Sequence, residues 1–221
     1  MSVFDPRYEL YGITDQPSSR GRDDLSVALD LIAGGVSCLQ YRAKKVPARE
    51  QWSMAVALRR ATLDARIPFI VNDRVDLALD CGADGVHLGQ DDLPIASARR
   101  LARLAGRDEL LVGRSTHSLE QALAAAAEGA DYIGYGPLYA TQTKENNVPA
   151  LGLGQLSQVL QAVAIPVVAI GGIKAAQLGA VAAQGARHCA VVTALTGAED
   201  IRVATRDLLR AWRAAKATDP R

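Results

Sequence analysis

Eight short apolar runs punctuate the chain: YELYGI, VSCLQY, PFIVN, DGVHL, LLVGRS, DYIGY, PVVAI and RHCAVV. Each reads as a strand, bounded by glycine, proline or small polar residues. Between them lie Ala/Leu-rich stretches with helical patterning, such as SLEQALAAAAE. There Ser118-Leu-Glu-Gln121 has the form of a capping box. The order is eight strands and eight helices in strict alternation, which predicts a parallel sheet with helical crossovers. Before every second strand sits a glycine junction: Gly34-Gly35, Gly82-Ala83, Gly129-Ala130 and Gly185-Ala186. Glycine suits a helix end because it accepts positive φ. The first glycines are 48, 47 and 56 residues apart (82−34, 129−82, 185−129). Three of the remaining runs begin at or just after a proline, Pro6, Pro68 or Pro166, where the missing N–H is harmless. A doubly wound open sheet is the alternative arrangement, but it has no need of this regularity. The expected fold is therefore an α/β single (β/α)8 TIM barrel over residues 1–221, its core from about 8 to 216, with the active site at the C-terminal rim of the strands.

Composition narrows the function classes. Hydrophobic residues make up 49% and charged residues 22%, as in an ordinary globular protein. The formal net charge is +1 with no long basic block, which argues against nucleic acid as a partner. No apolar run has membrane-spanning length, and MSVFDPRYEL lacks the basic start and apolar core of a secretory signal. Cys38, Cys81 and Cys189 are far apart and odd in number, which argues against disulfides and a zinc site and for reduced core thiols in a cytoplasmic protein.

In a barrel, chemistry belongs to the loops that follow the strands. Asp73 and Asp92 follow adjacent strands and could hold one Mg2+ between them, since magnesium takes one or two carboxylates plus substrate phosphates. The competing expectation is that both cap the helices that follow. Asp91 is expected to face solvent or cap. Arg42 and Lys44 alternate with Tyr41 and Ala43 and should point the same way, as a grip for phosphate oxygens; otherwise they are a solvated cluster, the expected fate of Lys45. The loop from Gly136 to about Leu153 is long, and its Thr141-Gln142-Thr143-Lys144 would close over an anion or form a polar tip. Gly171-Gly172 suits backbone binding of phosphate, or simply a tight turn. Ser115 would bond a substrate or cap a helix. His117 would act as acid and base or be structural, and His87 and His188 are expected to be satisfied interior residues. The rim thus offers a diphosphate clamp with a metal and a second phosphate site, which suggests transfer between two anionic substrates.

Taken in order, LYGITD, QYRAK, FIVNDRVDLAL, ADGVHLGQDDLP, STHS, GADYIGYGPLY, TQTK, IPVVAIGGI and AVVTAL resemble the thiamine phosphate synthase family from Leu10 to Leu195. The resemblance implies a transferase that joins a pyrimidine carrying a methyl diphosphate to a thiazole phosphate. Magnesium would help the diphosphate leave, and the pyrimidine carbocation would be captured by the thiazole nitrogen. Gln40, Tyr41, Arg42, Ala43, Lys44, Asn72, Ser115 and Lys144 would bind the pyrimidine diphosphate, with Arg42, Lys44, Ser115 and Lys144 catalytic. Asp73 and Asp92 would hold the metal. Thr141, Gln142, Thr143, Gly172, Val192 and Thr193 would bind the thiazole phosphate. The chain departs from the family at Ala43, where an acid is common, at Gln142, where proline is common, and at GARHCAVV in place of GADGVAVV. The thiazole tautomerases resemble it at NDRVDLAL and GRSTHSLEQA, with His117 as acid and base, but generally lack HLGQ-x-D. A non-catalytic barrel that retains the phosphate sites is the third expectation.

Overall fold

The computed structural model describes residues 8–141 and 149–217. All eight expected strands form: β1 (Leu10–Ile13), β2 (Cys38–Tyr41), β3 (Phe69–Asn72), β4 (Gly85–Leu88), β5 (Leu111–Thr116), β6 (Tyr132–Tyr135), β7 (Val167–Ile170) and β8 (His188–Val191). They close in sequence order into an all-parallel barrel, β8 pairing with β1 through Leu10 opposite Cys189. Side chains alternate between two cores. Leu10, Leu39, Phe69, Val112, Ile133, Val167 and Cys189 join the outer core shared with the helices. Their neighbours Tyr11, Cys38, Ile70, Leu111, Tyr132, Val168 and Ala190 form a separate cluster inside the barrel. This is the period-2 alternation of a strand with both faces buried.

The helices are α1 (Asp24–Gly34), α2 (Ala48–Ala65), α3 (Val75–Asp80), α4 (Ile95–Leu104), α5 (Leu119–Ala127), α6 (Leu156–Ala162), α7 (Leu178–Ala182), α8 (Thr193–Thr196) and α9 (Ile201–Ala217). The expectation of eight helices is corrected here, because a single turn, α8, sits at the rim between β8 and the closing α9. Among the described residues, no helix is long and apolar enough to cross a membrane.

At the first junction the left-handed residue is Gly35, not Gly34, with φ 104°. Gly34 is helical and small for another reason: a Cβ there would lie 2.4 Å from Cβ of Thr205 on α9. Counted from Gly35, the left-handed glycines are 47, 47 and 56 residues apart (82−35, 129−82, 185−129). Two residues after each stands a side chain at the foot of the barrel. Ser37 Oγ accepts from the Leu10 N–H at 3.1 Å, Asp84 from Phe69 at 2.8 Å and Asp131 from Val112 at 2.6 Å. The two aspartates also pair with Arg59 and Arg99. Three of the four repeats thus satisfy an N–H within the first two residues of an odd strand in one way, and Arg187 stands at that position in the fourth. At α5, Ser118 caps the Gln121 N–H as expected, but the Gln121 side chain accepts from His117 rather than Ser118, so the box is shifted by one residue.

Candidate active site

The strands' C-terminal ends surround a cavity floored by the inward-facing residues. Gln40, Arg42, Asn72, Ser115, Thr141, Gly172, Val192 and Thr193, all expected at the site, line it. Gln40 and Arg42 point in because they share parity on β2 and its extension. Tyr41, between them, is buried against the helix layer, and Ala43 packs there too, so those two expected contacts are displaced from the cavity lining. Arg42 is held from two sides: Asp15 accepts from its guanidinium, and its backbone N–H donates to Thr14 Oγ1 at 3.2 Å. Gln142, Thr143 and Lys144 lie outside the described residues.

Lys44 does not follow Arg42 inward. The chain bends after β2, with Lys45 at φ 61°, and Lys44 Nζ donates to Asp73 Oδ2 at 2.5 Å. Asp73 itself has φ 63°, a conformation uncommon for a residue with a Cβ and often found at functional sites. Its backbone N–H donates to the His87 carbonyl at 2.8 Å, which ties it to the top of β4. Burial pushes the Asp73 carboxyl above the usual range; the Lys44 ammonium opposes this, and the Asp92 carboxylate beside it adds to it. The two acids therefore meet, as the spacing suggested. The helix-cap alternative is corrected: Arg74 and Pro94 occupy the cap positions of α3 and α4, and Asp92 Oδ2 instead accepts from the Gly89 N–H at 2.6 Å. Gln90 fastens the same turn by donating to the Ser115 carbonyl at 2.5 Å, and Arg114 reaches back to the carbonyls of Gln90 and Leu93. Two oxygen donors that repel one another suit a hard dication completed by phosphate oxygens and water. Among the described residues no group of three or more His, Cys, Asp or Glu side chains gathers into an all-protein metal cage.

On the opposite side, Gly171 and Gly172 have φ 99° and 64°. A Cβ on Gly172 would lie 2.6 Å from the Ala140 carbonyl oxygen, and one on Gly171 2.4 Å from Cα of Pro137. These glycines let the loops after β6 and β7 pass in contact, with Tyr139 N–H bonded to the Gly171 carbonyl. Val192 and Thr193 open α8 beside them, where barrels often bind phosphate.

Several lining residues were not expected. Tyr11, Tyr132 and His87 form the floor, so His87 is not merely an interior residue. Burial raises both tyrosine hydroxyls well above their usual range and keeps them protonated. The signal that identifies His87 is register: it lies opposite Asn72 in the β3–β4 ladder. His117 also lines the cavity and donates from Nδ1 to the Gly136 carbonyl, which leaves Nε2 unprotonated in the neutral ring. His188 is interior as expected, bonded through Nδ1 to the Tyr8 carbonyl. All three cysteines are free; Cys38 and Cys189 are buried, whereas Cys81 is only half-buried.

Comparison with known proteins points in one direction. A family model described as thiamine monophosphate synthase matches residues 10–195. The chain is 46% identical over 200 residues to a thiamine-phosphate synthase of Pelotomaculum thermopropionicum, with 90% of each chain covered. It is 45% identical to that of Methanoculleus marisnigri, covering 95% of this chain and 98% of the relative. Among solved structures, a thiamine phosphate pyrophosphorylase from Pyrococcus furiosus superposes with a TM-score of 0.85 at 37% identity, covering 95% and 98% of the two chains.

Proposed function

The chain belongs to the thiamine monophosphate synthase family, and from that premise we propose that its strand-end cavity joins a pyrimidine methyl diphosphate to a thiazole phosphate. The observation that carries this reading is the meeting of Asp73, Asp92 and Lys44 beside a cavity lined by Gln40, Arg42, Asn72 and Ser115. The methylene–oxygen bond of the pyrimidine breaks, pyrophosphate leaves with the electron pair, and the thiazole nitrogen supplies the pair for the new carbon–nitrogen bond. Arg42 and Lys44 hold the leaving diphosphate, Asn72 and Ser115 orient it, and Gln40 holds the pyrimidine. Tyr41 and Ala43 shape the β2 segment from outside the cavity. Thr141, Gly172, Val192 and Thr193 receive the thiazole phosphate, and the family resemblance assigns Gln142 and Thr143 to the same substrate. The family resemblance assigns Lys144 to the diphosphate. Asp73 and Asp92 would hold Mg2+, which would supply positive charge for the departing phosphates. The apolar lining residues Ile13, Val168 and Ile170 shield the pyrimidine carbocation from water. Three free thiols fit a reducing cytoplasm.

The test mixes purified protein with both substrates, with and without Mg2+, and measures thiamine phosphate. Magnesium-dependent product is expected. Asp92→Asn should lower turnover by about a hundredfold or more, because metal charge stabilisation amounts to several kcal/mol. No product from the unaltered protein would overturn the reading. Full activity in a folded Asp92→Asn variant would overturn the metal assignment.

A further inference from the structure

Beneath the cavity, five polar side chains from five strands form one run of hydrogen bonds through the barrel. Gln40 Nε2 donates to the Tyr11 hydroxyl at 2.9 Å. The Tyr11 and Tyr132 hydroxyls are 3.0 Å apart, Tyr132 Oη and His87 Nδ1 3.0 Å, and His87 Nε2 and Ser115 Oγ 3.0 Å. Tyr132 is fully buried, and its ring fills space that Gly113 on the neighbouring strand leaves open. An interior built only for packing would be apolar, since every buried polar atom here must be matched.

The run can carry its hydrogens in either of two senses. An amide nitrogen only donates, so the Gln40 end fixes Tyr11 as an acceptor. Continued in that sense, Tyr11 donates to Tyr132, and Tyr132 donates to Nδ1 of His87. The imidazole then carries its proton on Nε2 and donates to Ser115 Oγ. The Ser115 hydroxyl hydrogen is thereby turned away from His87. In the opposite sense Ser115 would spend its hydrogen on His87 and offer only lone pairs. A diphosphate and ring nitrogens present acceptors, so only the first sense complements them.

We propose that His87 is a positioning residue of the transfer reaction: held by Tyr132 with its proton on Nε2, it makes the Ser115 hydroxyl a donor toward an acceptor atom of the pyrimidine diphosphate. This rests on the reading above, in which Ser115 meets that substrate. His87 acts through Ser115, and its own carbonyl anchors the Asp73 backbone whatever its side chain.

The test compares kcat/KM for the pyrimidine diphosphate in the unaltered enzyme, Ser115→Ala, His87→Leu and the double variant. His87→Leu should lose about tenfold or more, the equivalent of one hydrogen bond. The double variant should be no worse than Ser115→Ala alone, because two residues acting in series do not add. His87→Gln, which restores an N–H near the same place, should recover part of the loss, and KM for the thiazole phosphate should stay within about twofold of normal throughout. Nitrogen-15 spectra of the imidazole should show the His87 proton on Nε2, and Tyr132→Phe should disturb that preference. Multiplicative losses in the double variant, or a proton on Nδ1, would overturn the role while leaving the synthase reading intact. An unaltered protein that makes no thiamine phosphate would overturn both.

Discussion

Replacing Gly113 by alanine tests whether one missing methyl group holds the floor of the site in place. Gly113 on β5 lies opposite Tyr132 on β6. A Cβ at Gly113 would stand 2.2 Å from Cζ of Tyr132 and 2.5 Å from its hydroxyl oxygen. Carbon atoms rest at about 3.5–4.0 Å, so the ring must retreat by more than about 1 Å. The hydroxyl bonds to Tyr11 and His87 are each 3.0 Å long, and a shift of that size breaks them. Two lost neutral hydrogen bonds at about 1 kcal/mol each, plus about 1–3 kcal/mol of overpacking, give about 3–5 kcal/mol of destabilisation. Urea unfolding should show a lower midpoint with an unchanged slope, and kcat/KM for the pyrimidine diphosphate should fall in whatever protein remains folded. The control is Gly134→Ala on β6, where the nearest atom would be His87 Cε1 at 3.4 Å, an ordinary contact; its effect should stay under about 1 kcal/mol. Neither glycine has positive φ, so backbone strain does not enter. A Gly113→Ala protein as stable and active as the original would refute the placement of Tyr132 and the polar run built on it.

Two further outcomes follow from single acids. Asp24, buried beside Thr14 and Asp15, has its carboxyl pushed up to about 6, chiefly by burial, and Oδ1 has no partner among the described residues. Its proton leaves the unfolded chain near pH 4 but the folded one near 6, so this group's stabilisation is lost as pH rises through that window; Asp24→Asn should flatten the decline in urea titrations by roughly 1–3 kcal/mol. Asp84→Ala removes the acceptor for the Phe69 N–H and the partner of Arg59 at the foot of the barrel, far from the rim. It should lower stability by about 2–3 kcal/mol and the melting temperature by about 4–12 °C, with kcat and both KM values of the folded enzyme unchanged.

The strands, their order and the rim positions are legible in the sequence because they depend on local signals. Apolar runs bounded by glycine and proline mark each strand, and the residues just after them fall at one rim once the barrel closes. Local signals place Asp73, Asp92, Arg42 and Gly172 after the strands in this way, and likewise mark the four glycine junctions. The floor was not legible. A barrel strand is buried on both faces, so hydrophobic alternation, the usual sign of which side chain faces the core, is absent from LYGI, FIVN and VVAI. Closure alone decides that Tyr11, His87 and Tyr132 turn inward while Tyr41 and Tyr135 turn to the helices. The same holds for Lys44, which leaves the strand's alternation where the chain bends after β2, and for Asp73 and Asp92, whose local pattern equally suited helix caps. Local sequence determined which residues stand at the ends of strands. Which of them meet was decided by the register of eight strands brought together across the barrel, because hydrogen bonds and charge act over distances in space that the chain's own spacing does not encode.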